Sequence, residues 1–228
     1  MKKYLIRYLL EFLVIVLGIS ISFYVEKKNA IAYKEELKSE SLKKMKNNLL
    51  KELDGLHFDV GVHSQASDFS NIIYERGKLL YNEDKDSLGF YLSYLKDAGT
   101  VFVHNEEEYS ALVNSGLIEL IENRELVSLL QEKYSDQTWY EKNNHLLLEM
   151  YLRDNTFDKF FSSENRRPHK NIIAYWTSYK PNMRYLNDLE INKVSQSGLA
   201  HSFYANLMRL AIRQDSLIIK EIDKELAE

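Results

Sequence analysis

Hydrophobic positions along the chain fall into two regimes. Residues 12–25 read FLVIVLGISISFYV, fourteen residues without a charge. Beyond them apolar residues return mainly at spacings of three and four, the rhythm of helices that bury one face. As a helix the uncharged run covers roughly 21 Å at about 1.5 Å per residue, too short for a hydrocarbon core of about 30 Å. Extended back to Tyr4 it reaches twenty-two residues and about 33 Å, with Arg7 and Glu11 in its first two turns. Tyr4 and Tyr8 at one end, and Phe23 and Tyr24 at the other, occupy the positions of an aromatic belt, and Lys2, Lys3, Lys27 and Lys28 flank the span. The pattern predicts a transmembrane anchor over residues 1–25.

After the anchor no glycine occurs before Gly55 and no proline before Pro168. Leu42, Met45, Leu49, Leu53 and Leu56 form a helical stripe, so the anchor helix is expected to continue to about Gly55 as a membrane-proximal stalk, residues 26–56. Residues 57–228 read as an α-helical domain. Its expected elements are a helix over about 69–80, a turn at 82–87, a helix carrying Leu88, Tyr91, Leu92 and Leu95 that Gly99 closes, and an extended connector at 100–104. Asn105 followed by Glu106, Glu107 and Glu108 fits an N-cap with acids in a first turn, which the helix dipole favours. Ser115 and Gly116 end that helix, and Asn123 opens a long one expected to reach about residue 161. A loop follows at 162–170, a break at Pro181–Asn182, and a last helix over roughly 198–226. The fold class is all-α, an N-terminal transmembrane helix continuing into a membrane-proximal helical bundle.

Composition agrees. Only 8 glycines and 2 prolines interrupt 228 residues, too few turn formers for a many-stranded β fold. Lys+Arg 30 against Asp+Glu 34 leaves a net charge of -4, which gives no electrostatic reason to expect nucleic acid. The absence of cysteine removes disulfides, thiolate metal sites and thiol nucleophiles. Ala30-Ile31-Ala32 imitates a signal cleavage site, but Glu26, Lys27 and Lys28 stand where a cleavable signal is normally neutral, so an uncleaved anchor is favoured. A basic amino end before an apolar run resembles a signal that exports the rest of the chain, and the periplasmic side is narrowly preferred. Six lysines between 26 and 45 argue the other way.

No phosphate loop, metalloprotease motif, nucleophile elbow or dinucleotide fingerprint is present, and no cofactor is expected. Glu141, His145 and Glu149 recur every fourth residue, so a helix places all three on one face where a divalent ion could bind; a polar helix face is the simpler reading and is preferred. Asp54 with His57, and Asp59 with His63, read as chance neighbours on a helix. Arg166, Arg167, His169 and Lys170 read as a solvated basic turn, and Tyr134, Trp139, Tyr140 and Tyr151 as aromatic packing. In the anchor, Arg7 and Glu11 are four apart and can pair, while Gly18 and Ser22 form a small-xxx-small pair that lets a second helix approach.

Two stretches carry a resemblance. Residues 11–21, Glu-Phe-Leu-Val-Ile-Val-Leu-Gly-Ile-Ser-Ile, and residues 109–123, with Tyr109, Leu112, Ser115, Gly116, the aliphatic run and Asn123, are similar to an uncharacterised family of single-pass, membrane-anchored helical proteins of Bacteroidetes-type bacteria. Leu10 stands where that family usually has Gly, and Glu26-Lys-Lys-Asn29 where it tends to an Asn-Asn-Trp-Asn-like run. The resemblance implies an inner-membrane protein with a helical domain and supplies no catalytic residue. It adds weight to Glu11, Ser115, Gly116 and Asn123. The expected function is non-enzymatic: a domain held at the lipid bilayer for self-association or assembly with another membrane protein, with Glu11, Gly18 and Ser22 in the intramembrane contact. The alternative is a membrane-tethered metal-dependent enzyme or ligand sensor.

Overall fold

The computed structural model describes residues 2–152, 155–168 and 175–227; the side chains of residues 2–6, 9, 144–152, 165 and 175 lie outside the described set. The chain is all-α in its main elements. Helix α1, Lys2–Glu83, runs 82 residues without a break, roughly 120 Å at about 1.5 Å per residue. The sequence suggested separate helices on either side of Gly55, but a single glycine costs a helix only about 1 kcal/mol, and packing on both sides of this one outweighs that. Leu42, Met45 and Leu49 are buried in the core, and the boundary drawn at 56/57 falls inside α1.

Asp84 ends α1 and caps α2, Lys85–Asp97, its carboxylate accepting from the Ser87 amide at 3.0 Å. This is the turn expected at 82–87. Helix α2 folds back on α1, and Gly89 lets it approach the 177–179 segment so closely that a Cβ would run into the Ser178 and Tyr179 backbone. Residues 100–104 carry neither helix nor strand. Helix α3, Glu107–Asn114, ends at Ser115 and Gly116, whose φ of 71° is the left-handed turn that glycine permits. A 3-10 turn, Leu117–Leu120, leads to α4, Arg124–Leu152. Helix α4 stops short of residue 161, because 3-10 turns at Asn155–Phe160 and Ser163–Asn165 replace its expected end. A two-residue antiparallel ribbon, β1 Arg167–Pro168 with β2 Tyr175–Trp176, occupies part of the expected loop.

Helix α5, Asp188–Glu225, begins ten residues before its expected start. A capping box fixes that start: Asn187 accepts from the Glu190 amide at 2.9 Å while Glu190 accepts from the Asn187 amide at 2.8 Å. Helix α5 lies antiparallel along α1, with contacts at Lys38–Glu225, Lys46–Asp223, His63–His201 and Ser70–Val194. Phe203, Leu210 and Leu217 of α5 are exposed.

The core between α1 and α5 is segmented. An apolar cluster around Leu42, Met45, Leu126, Leu130 and Ile222 lies nearest the amino end. A second contains Leu56, Phe102, Tyr204 and Met208, and a third surrounds Ile73, Leu88, Tyr94, Phe160 and Val194. Buried charge and polar groups separate them, Glu52 with Asp215 at one boundary and Asp59, His63 and His201 at the other.

At the amino end, α1 stands apart from the bundle. Every described side chain of residues 10–25 is exposed. Side chains here are described from Arg7 onward, Leu9 excepted, and among the described residues no helix is long and apolar enough to cross a membrane.

Candidate functional site

The positions singled out in the sequence lie in three places. Glu11, Gly18 and Ser22 share one face of the protruding helix, where Arg7 Nε donates to Glu11 Oε1 at 3.0 Å and Ser22 Oγ donates to the Gly18 carbonyl at 2.9 Å. With its hydroxyl satisfied inside its own helix, Ser22 presents a small surface beside Ile15, Ile19 and Phe23, and nothing lies within 4 Å of a Cβ built on Gly18.

Tyr109, Ser115, Gly116 and Asn123 form the joint between α3 and α4. Tyr109 stacks on Tyr134 with ring centroids 4.2 Å apart. Ser115 Oγ donates to the Ala111 carbonyl at 2.6 Å. Asn123 caps α4 by accepting from the Leu126 amide at 3.1 Å, while its own amide groups donate to Glu221 and Glu225 of α5.

Of the possible metal ligands, His145 and Glu149 lie outside the described side chains. Glu141 Oε2 is 3.3 Å from His104 Nδ1, and Glu106 Oε2 is 3.9 Å from the other ring nitrogen. The two carboxylates thus face opposite nitrogens of one ring and do not converge on a shared point. Among the described residues no group of three His, Asp or Glu side chains could hold a metal ion.

The most concentrated buried chemistry lies elsewhere. His63 on α1 and His201 on α5 face each other with Nδ1 atoms 2.8 Å apart. His63 Nε2 is 2.9 Å from Thr100 Oγ1, His201 Nε2 is 3.2 Å from the Leu95 carbonyl, and the Asp59 carboxyl is hydrogen-bonded to Thr100. Tyr204 packs edge-on against His63 at 4.2 Å. Four elements contribute: α1, α2, the 100–104 connector and α5. Burial sets the electrostatics. It holds His63 down to about 3, with His201 as a second cause, and lowers His201 as well. The same desolvation raises Asp59, against the Thr100 hydrogen bond. Each therefore favours its neutral form. Asp59 also lines an open groove of about 410 Å³ bounded by Asn48, Phe58, Val101 and Asn105.

About two turns of α1 towards the amino end, Lys133 is wholly buried between two carboxylates, 2.8 Å from Glu52 and 2.8 Å from Asp215. Gln137 accepts from its ammonium and donates to Asp215.

Sequence reasoning identified Asp59 and His63 only as neighbours and missed His201, Thr100, Lys133 and Asp215. The available signal was Asp59 and His63 on a face that otherwise carries Leu56 and Ala66. No protein-family model matches the chain, and neither does any curated protein or solved structure.

Proposed function

We propose that the protein is a single-pass inner-membrane protein whose anchor helix, residues 4–25, continues directly into a helical domain and presents that domain for assembly with itself or with another membrane protein. One observation carries the reading. The large apolar side chains of residues 10–25 are exposed on every side of α1, from 40% at Val16 to 69% at Tyr24. A helix apolar all round belongs in a core or in lipid, and no other described element packs on this one. The described apolar run falls short of a full span, so the anchor draws on residues 4–9 to reach across, with Arg7 paired to Glu11 where its guanidinium reaches the headgroups.

The contact face is that of Glu11, Ile15, Gly18 and Ser22. Small residues there let a second helix close in, and packing drives association of helices in lipid. The helical domain is placed on the periplasmic side, as for an uncleaved signal. The chain has no native cysteine, so single introduced cysteines report cleanly. In native membranes, Ile15→Cys is expected to trap a disulfide-linked dimer or partner, whereas Ser20→Cys on the opposite face is not. Equal trapping at both positions, or at neither, would count against the contact. Protection of the carboxyl terminus from protease added outside spheroplasts would overturn the periplasmic placement.

A further inference from the structure

Between the proposed anchor and the bundle, α1 runs without a neighbour. Every described side chain of residues 10–34 is exposed, and the bundle first covers the helix at Leu37 and Lys38. Residues 26–34 lie beyond the anchor, and a helix in water draws most of its stability from packing one face. No other described element offers them that packing.

The charges on this stretch restrict where a second helix can lie. Two parallel helices in left-handed contact meet along positions alternately three and four residues apart, so a helix can offer seven such seams and each residue belongs to two of them. Glu26, Lys27 and Lys28 are consecutive, no two of them share a seam, and together they put a charge on six of the seven. The seventh runs through Ile15, Gly18, Ser22, Val25, Asn29 and Ala32. It stays uncharged over about 25 Å, at about 1.5 Å per residue, until Glu36 ends it. Three charges outside the lipid thus select the same face that Gly18 and Ser22 occupy inside it. One turn before the seam, Glu11 already holds Arg7 at 3.0 Å, so its carboxylate carries its own counter-charge.

The bundle leaves this face open. Lys38, Ser41, Leu42, Met45 and Leu49, which pack on the bundle, fall on the half of the α1 circumference opposite the seam at about 3.6 residues per turn. A second chain can therefore lie along the seam without meeting the first one's domain. Two identical chains anchored in one bilayer set their α1 helices parallel, which brings each seam residue against its own copy. Asn29 then meets Asn29. An amide both donates and accepts, so it satisfies its own copy, whereas an apolar side chain opposite would leave it unmatched.

Given the anchor proposed for residues 4–25, we infer that this seam holds a second copy of the same chain, α1 against α1, parallel and in register from Ile15 to Ala32. The contact begins in the lipid and continues beyond it, and the Asn29 pair fixes its register.

The test uses the full-length protein in native membranes, with two differently tagged copies expressed together and single cysteines introduced beyond the anchor's midpoint. On oxidation, Val25→Cys and Ala32→Cys are expected to give disulfide-linked dimers that carry both tags, whereas Lys27→Cys and Ile31→Cys, on the outer faces, are not. A Val25→Cys copy beside an Ala32→Cys copy is expected to give no mixed product, since in register the two sites lie about 10 Å apart along the axis. Asn29→Asp sets two carboxylates face to face and is expected to abolish trapping at Ala32→Cys, while Lys27→Asp leaves it intact. All these positions are exposed, so the bundle keeps its packing in each variant. Products joining one tagged chain to a different protein would overturn the second copy and leave assembly with another membrane protein standing. Trapping at Ile15→Cys with none at Val25→Cys or Ala32→Cys would confine the contact to the lipid and overturn the extended seam. Equal trapping at all four positions would overturn it as well, and absence of the protein from the membrane fraction would overturn both the seam and the anchor.

Discussion

Lys133 shows what a single residue does in this core. It has no exposed surface and holds the only cation between Glu52 and Asp215 among the described residues of that network. Removing it leaves buried carboxylates without a counter-charge. Lys133→Met is therefore expected to lower stability by about 3–5 kcal/mol, and adding Asp215→Leu should restore part of the loss; denaturant titration of both variants measures this. An additive double variant, more unstable than either single change, would show that the groups do not act as a pair. Neither residue was legible in the sequence. A lysine on a charged helix ordinarily snorkels to solvent, and only the register of α4 against α5 shows that this one cannot. Asp59 and His63 were visible as a pair four apart, but their partner His201 is 138 residues along the chain from His63. No periodicity reports a contact of that separation.

At the scale of elements, the helical rhythm and the punctuation of α2, α3 and the start of α4 were legible, because Asp84, Gly116 and Asn123 act through local hydrogen bonds and local dihedrals. Element ends were misread where local and tertiary signals conflict. Gly55 suggested a stop that packing overrides, and Gly198 suggested a start although the capping box at Asn187 and Glu190 lies ten residues earlier. Gly198 instead lets Ser70 of α1 come close. The helical glycines accordingly divide into two kinds. Nothing lies within 4 Å of a Cβ at Gly61, so Gly61→Ala is expected to raise stability by about 1 kcal/mol through helix propensity and a less flexible unfolded chain. Gly89→Ala meets backbone and is expected to cost roughly 1–3 kcal/mol or more. Thermal unfolding of the two variants distinguishes them, and a stabilising Gly89→Ala would mean that α2 stands further from the 177–179 segment than described.

For the molecule as a whole, one helix joins two environments. Residues 42–83 of α1 form the spine on which α2, α3 and α5 pack, with α4 lying chiefly against α5, and residues 10–25 carry the same helix out of the bundle with apolar side chains on every side. A tilt or rotation imposed at the exposed end reaches the bundle without an intervening hinge, since no proline interrupts α1. The all-α class was legible from the scarcity of glycine and proline, whereas the segmentation of the core into apolar clusters divided by buried charge was not, because hydrophobic periodicity is blind to paired polar groups. The central claim is that the amino end of α1 resides in lipid. Extraction of native membranes with alkaline carbonate tests it most directly: the full-length protein is expected to stay in the membrane pellet, and its release into the supernatant would contradict the account.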